Sequence, residues 1–195
     1  EEYRIGAMVS LRALETHKGL NQFTDGAMAE SVKHIVGVQF RNVATVGGSI
    51  YGRFGFSDVL TLFIALDAKV ELYHAGVMSV KEFAEFPRKT RDILVRLLVP
   101  KAERRTVYLS MRNISTDFPV LTCAISGQNN DYQCIIGARP MKATLFEDEK
   151  GLLLEGITEQ SAAAFAKDIA SRAGFGRNLG GGADVRCGEG SGGGR

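Results

Sequence analysis

The spacing of apolar residues along this chain changes period repeatedly, and each change marks an element. Tyr3 to Val9 (Y-R-I-G-A-M-V) reads as a short strand, and Leu11, Leu14 and Glu15 then fall at helical spacing behind Ser10, a fitting N-cap. Met28, Val32, Ile35 and Val36 form the stripe of a second helix, with Asp25 placed to cap it. The pattern lapses from Gln39 to Ser57, then resumes in the most apolar run of the chain, Val59 to Leu66, which predicts a buried helix opened by Ser57 and Asp58 and ending near Ala68. K-V-E-L-Y-H and V-M-S-V flank an Ala75-Gly76 turn and predict a hairpin. A short helix, K-E-F-A-E-F, stops at Pro87, and D-I-L-V-R-L-L-V is a strand ended by Pro100.

The charged stretch from Lys101 to Arg105 is the best candidate for a domain boundary. Beyond it, T-V-Y-L-S-M-R, P-V-L-T-C-A-I-S and Q-C-I-I-G-A predict a three-stranded antiparallel meander. An acidic helix is expected around L-F-E-D-E-K-G-L-L, followed by a longer one capped by Thr158 and stopped by Gly174. Strands and helices in mixed order, without a strict βαβ repeat, predict an α+β fold.

Composition narrows the function more than the fold. Lys plus Arg number 24 against 22 Asp plus Glu, a formal charge of +2, and no aromatics interleave the basic clusters, so nothing points to nucleic acid. The apolar run from Val59 to Leu66 is far shorter than the ~20 residues a membrane span needs. Three widely spaced cysteines, Cys123, Cys134 and Cys187, suit neither a disulfide framework nor a metal site, which makes a reducing cytoplasm the expected compartment. Cys123 and Cys134 sit in apolar runs, where a buried thiol is expected. His17, His34 and His74 are isolated from one another. Of 23 glycines, ten fall between Gly174 and Arg195.

Four more glycines, Gly47, Gly48, Gly52 and Gly55, crowd into the stretch where the apolar pattern lapses. A glycine pair there lets backbone approach a charged group closely and present N–H donors, as anion-binding nests do. Thr45 and Ser49 add hydroxyls, Arg53 adds a charge for a phosphate, and Asp58 can accept from a hydroxyl. A glycine-rich turn without a ligand is the other reading that the spacing allows. P-loop and Rossmann signatures are missing, and with no evident acid, base or nucleophile any catalysis falls to a cofactor.

Q-F-R-N-V-A-T-V-G-G-S, followed by Ser57-Asp58 and L-F-I-A-L-D-A, resembles the hallmark of the FAD-binding medium subunits of molybdenum hydroxylases of the xanthine dehydrogenase and carbon monoxide dehydrogenase type. The resemblance continues through D-I-L-V-R-L-L-V-P and Y-L-S-M-R-N-I-S-T-D-F-P-V-L to G-A-R-P-M-K-A-T-L-F-E-D-E-K-G-L-L-L-E-G. It implies an FAD-binding domain over 1–102, as a second lobe whose first lobe is missing from this sequence, and a smaller α+β domain over 103–179. The glycine-rich tail over 180–195 is expected to be disordered. By position it implies that Thr45, Val46, Gly47, Gly48 and Ser49 bind the FAD pyrophosphate. Asp58 would hold the hydroxyl-bearing chain, and Ile35 and Leu94 would flank the isoalloxazine. Implied partners are a molybdopterin-binding large subunit and a [2Fe–2S] small subunit, with electrons relayed between the clusters and NAD⁺ or another acceptor. The family's first glycine-rich loop has no counterpart here, and Leu109 stands where many members place a Lys. Both departures leave open a flavin-free docking subunit of the same kind of complex. A third reading is a stand-alone flavin oxidase related to vanillyl-alcohol oxidase, and against it stands the lack in this sequence of any His or Cys near Thr45 to Ser49 suited to covalent flavin attachment.

Overall fold

A computed structural model of the chain describes residues 2–87, 89, 91–128, 131–138 and 142–174. β1 (Glu2–Gly6) leads into α1 (Leu11–Thr16), where the Ser10 side chain accepts from the Ala13 N–H. α2 (Lys18–Phe23) is capped by the His17 ring, and α3 (Ala27–Lys33) follows. Asp25 does not make the expected cap. Gly26, at φ +84°, occupies the N-cap position of α3, and the Asp25 carboxylate instead accepts from the Thr106 N–H at 3.3 Å.

The stretch where the apolar pattern lapses is helical. α4 (Val38–Val43) and α5 (Val46–Tyr51) occupy it, so Gly47 and Gly48 lie in the first turn of α5. Six residues hold too few apolar positions to show a helical period. α6 (Asp58–Ala65) begins where Ser57 accepts from the Leu60 N–H, and every one of its residues is buried. β2 (Lys69–Leu72), β3 (Gly76–Ser79), α7 (Val80–Glu85) and β4 (Leu94–Pro100) come next. β5 (Arg105–Met111), β6 (Leu121–Gln128), β7 (Asp131–Gly137), β8 (Thr144–Glu147) and α8 (Glu159–Arg172) complete the described elements.

Two antiparallel four-stranded sheets result, in the orders β1-β4-β2-β3 and β5-β6-β7-β8, and the fold is α+β. The fourth strand of the second sheet replaces the expected acidic helix. Phe146 pairs opposite Cys134 and is buried with Phe165 and Ile169 of α8, while Gly151 at φ +64° interrupts helical backbone in the same stretch. Thr158 caps α8 through a capping box with Ser161, and Gly174 at φ +78° follows its end. Cys187 and the tail over 180–195, expected to be disordered, lie outside the described residues.

α6 is the element that both halves share. It packs on α3, α5 and α7 and also against β6 and β7. Thr61 and Thr122 share a hydrogen bond at 3.0 Å, and the Ala65 carbonyl accepts from Ser126 Oγ and, at 3.0 Å, from Gln133 Nε2. One hydrophobic core therefore runs across the 101–104 connection, joining Leu62, Phe63 and Val70 to Tyr108, Ala124 and Ile135. On the far face of the second sheet α8 closes a smaller core. There Cys134 is buried, and its Sγ lies 3.7 Å from that of half-buried Cys123, a bond that holds the Cys123 thiol below its ordinary value despite burial. No helix among the described residues is long and apolar enough to cross a membrane.

Candidate functional site

Thr45 is the N-cap of α5, and its hydroxyl accepts from the Gly48 N–H at 3.1 Å. The other backbone donors from Val46 to Ser49 are engaged by the fold as well, that of Ser49 by the Thr45 carbonyl at 3.1 Å. The Val46 N–H donates to the Val9 carbonyl at 2.9 Å and the Gly47 N–H to the Ala7 carbonyl at 2.8 Å, which ties α5 to the turn after β1. Gly47 is glycine because of that turn: a Cβ there would lie 2.8 Å from both the Ala7 Cβ and the Ala7 carbonyl oxygen. Gly47→Ala should accordingly cost about 2 kcal/mol, as overpacking does, read as a lowered urea midpoint. Gly48 is different. It is exposed, and a Cβ would meet only Thr45 Oγ1, at 3.2 Å. Beside it the half-buried Ser49 hydroxyl donates to the Thr45 carbonyl at 3.2 Å. Gly48, Thr45 and Ser49 thus form the outward side of the first turn of α5, and the buried Val46 and Gly47 its inward support.

Asp58 follows the α6 N-cap, and Ser57 Oγ donates to the Ser49 carbonyl at 2.9 Å, which couples α6 to α5. The Asp58 carboxylate is 5% exposed and does not stand alone. Tyr108 Oη donates to its Oδ1 at 2.6 Å, and Arg112 Nη2 forms a close ion pair with the same oxygen. Burial pushes the carboxyl above its ordinary value, and Tyr108 and Arg112 work against that shift. Burial and the Asp58 charge also push the Tyr108 hydroxyl upward, so it remains a donor. Sequence reasoning missed both residues. Their only signal was the even spacing of Tyr108 and Arg112, which sets Arg112, just past the end of β5, in phase with the Tyr108 face.

Ile35 and Leu94 lie at different elements that share one core. Ile35 follows α3, half-buried against the main core, whereas Leu94 opens β4 opposite Leu72 and is buried. The arginine of the R-N-V-A-T stretch was also missed. Arg41 is 5% exposed; its Nε donates to Glu15 Oε2 at 2.8 Å, and its Nη1 donates to the Ile35 and Val36 carbonyls at 3.1 and 3.0 Å. Val36 has φ +50°, a conformation a β-branched residue rarely adopts, and Arg41 holds it there. Arg53, proposed for a phosphate, turns inward instead: it is 6% exposed, donates to the Tyr51 and Phe86 carbonyls and lies over the Phe83 ring. Leu109 points away from Asp58, on the exposed face of β5. Surface cavities of about 320 and 220 Å³ lie elsewhere, and none of these site residues lines them.

The fold thus sets an exposed glycine between two hydroxyls, on a helix coupled to the one that bears a buried aspartate. The family described as FAD binding domain in molybdopterin dehydrogenase matches residues 1–102, and the chain belongs to that family, whose cofactor is FAD. The chain is 25% identical over 164 residues to the uncharacterized protein YgfM of Escherichia coli (strain K12), covering 84% of this chain and 61% of that one, so it spans about three-fifths of that relative's length. Its fold is that of a chain of carbon monoxide dehydrogenase from Hydrogenophaga pseudoflava, with a TM-score of 0.73, 22% identity and coverage of 86% of this chain and 63% of that one. A chain of quinoline 2-oxidoreductase from Pseudomonas putida 86 shares it too, with a TM-score of 0.71, 20% identity and coverage of 86% and 65%.

Proposed function

We propose that this chain is the FAD-holding, electron-transferring part of a molybdenum hydroxylase, and that Thr45, Gly48, Ser49 and Asp58 are the residues that meet the cofactor. The observation that carries this reading is the exposed, uncluttered Gly48 beside two hydroxyls, on a helix bonded through Ser49 and Ser57 to the one bearing Asp58. Thr45 would donate to the pyrophosphate where Gly48 lets it approach, and Ser49 would do so by turning its hydroxyl away from the Thr45 carbonyl. Val46 and Gly47 would fix that surface through their bonds to Val9 and Ala7. Asp58 would accept from a hydroxyl of the cofactor's polyol chain, and Ile35 and Leu94 are proposed to border the flavin ring. Bound FAD would supply the two-electron to one-electron conversion, and the protein's part is to orient it and set its potential.

Relay between [2Fe–2S] clusters of a small subunit and NAD⁺ or another acceptor, with a molybdopterin-binding large subunit as the second partner, belongs to the same proposal, as does a cytoplasmic hetero-oligomer of the xanthine dehydrogenase type. Titration of the purified chain with FAD, followed by flavin fluorescence and by bleaching with dithionite, tests the cofactor part. Saturable quenching with a rise in melting temperature is expected. No binding, with intact co-isolation of molybdopterin and iron–sulfur chains, would instead establish a flavin-free docking subunit. The engagement of the Val46 and Gly47 donors within the fold favours that alternative.

A further inference from the structure

A buried carboxylate serves a cofactor hydroxyl as an acceptor only while it is ionised and aimed, and burial works against ionisation. Besides its own backbone N–H, the groups that offset this for Asp58 are two side chains from beyond residue 102. Tyr108 lies on β5 and Arg112 just after it, and both donate to Oδ1, so neither takes Oδ2. Arg112 is itself fixed: its side chain is 7% exposed, Nη1 donates to the Asp117 carbonyl at 2.5 Å and Nε to Ser110 Oγ at 3.3 Å. Ser115, three residues on, shares a hydrogen bond with the His34 ring at 3.2 Å, next to Ile35. The turn after β5 therefore touches the neighbourhood of two proposed cofactor residues.

We infer that Arg112 and Tyr108 are positioning residues for FAD: from the second sheet they hold Asp58 ionised and oriented, so the cofactor site is completed by a part of the chain outside the stretch that carries the family match. The inference rests on the FAD reading above. Docking of β5 on α6 and binding of FAD are then linked, each favouring the other. Among the described residues, Tyr108 and Arg112 are the titratable side chains that act on Asp58, and Cys123 acts on Tyr108 in turn.

FAD affinity of the full chain, measured by flavin fluorescence at several pH values between about 6 and 9, tests this with Arg112→Gln, Arg112→Lys and Tyr108→Phe. Loss of a charged partner should weaken binding by Arg112→Gln about tenfold near neutral pH. Affinity should return toward wild type as the pH rises and Asp58 ionises unaided, a pH dependence steeper than that of the wild type. Arg112→Lys should stay within about threefold, since it keeps the charge, and Tyr108→Phe, which alters no charge, should lose about threefold. Tyr108→Phe carries the test if Arg112→Gln does not fold. Wild-type affinity in both Arg112→Gln and Tyr108→Phe, or a loss that is equal at every pH, would overturn the inference. The FAD reading fails separately: in that case the wild type does not bind, or Asp58→Asn binds as the wild type does, and the inference falls with it.

Discussion

Gly48→Val is expected to lower FAD affinity by about 100-fold, close to 2.7 kcal/mol, while the far-UV spectrum stays unchanged. Gly48 sits in the first turn of α5 with its missing side chain directed outward, and the nearest atom to an added Cβ is Thr45 Oγ1 at 3.2 Å. Two branches placed there would occupy the surface proposed to receive the pyrophosphate. Folding should hardly notice. Valine in a helix is slightly better than glycine, and the worst structural cost is displacement of the Thr45 cap, about 1 kcal/mol. A melting temperature within a few degrees of wild type, together with lost flavin binding, is the expected pair of results. Retained flavin affinity would show that the loop is not the pyrophosphate site. Gly47→Ala makes the contrast, because its effect runs through Ala7 and stability rather than through the cofactor.

Arg41→Met should destabilise the chain by about 3 kcal/mol, as breaking one side of a buried pair does, and should lower the melting temperature by roughly 10 °C. It removes the ion pair to Glu15 and both bonds to the Ile35 and Val36 carbonyls. The left-handed Val36 then loses its restraint, and Ile35 loses its fixed position at the edge of the proposed flavin site. The pH dependence of this change has a defined sign. Burial alone would raise the Glu15 carboxyl, but Arg41 and Arg12 outweigh it and hold it below its ordinary value. Stability from the pair is therefore fully present above the ordinary carboxylate range and is lost as pH falls through the lowered value. Urea unfolding at a series of acidic pH values should show the gap between wild type and Arg41→Met narrowing on the acid side. A gap that is constant with pH would mean that the carbonyl bonds, and not the ion pair, carry the effect.

Much of the fold was legible because its elements announce themselves locally. Ser10, Ser57 and Thr158 are caps that act within three residues, and the structure uses all three. The hairpin at Ala75-Gly76 needs only a residue that tolerates φ +75°, which Gly76 supplies. Local signals failed where long-range partners decide. Asp25 looked like a helix cap and was drawn to Thr106, 81 residues away. L-F-E-D-E-K-G-L-L has helical composition, yet its start pairs with β7 because Phe146 is buried beneath α8. The glycine-rich stretch hid two six-residue helices, each too short to display a period.

By itself the sequence determined the α+β class, the position of most elements and the family that the T-V-G-G-S and Ser-Asp motifs mark, since these depend on neighbours in the chain. The facing of β5 was settled by the tertiary structure alone. Alternation in T-V-Y-L-S-M-R invites burial of Val107, Leu109 and Met111, but those three are about half exposed, while Thr106 and Tyr108 are buried. The inward face is polar because α6 meets it with Asp58, and because the small residues opposite, Thr122, Ala124 and Ser126, let the helix come close. A strand's pattern says that its two faces differ; which face is inside depends on the chemistry of what packs against it.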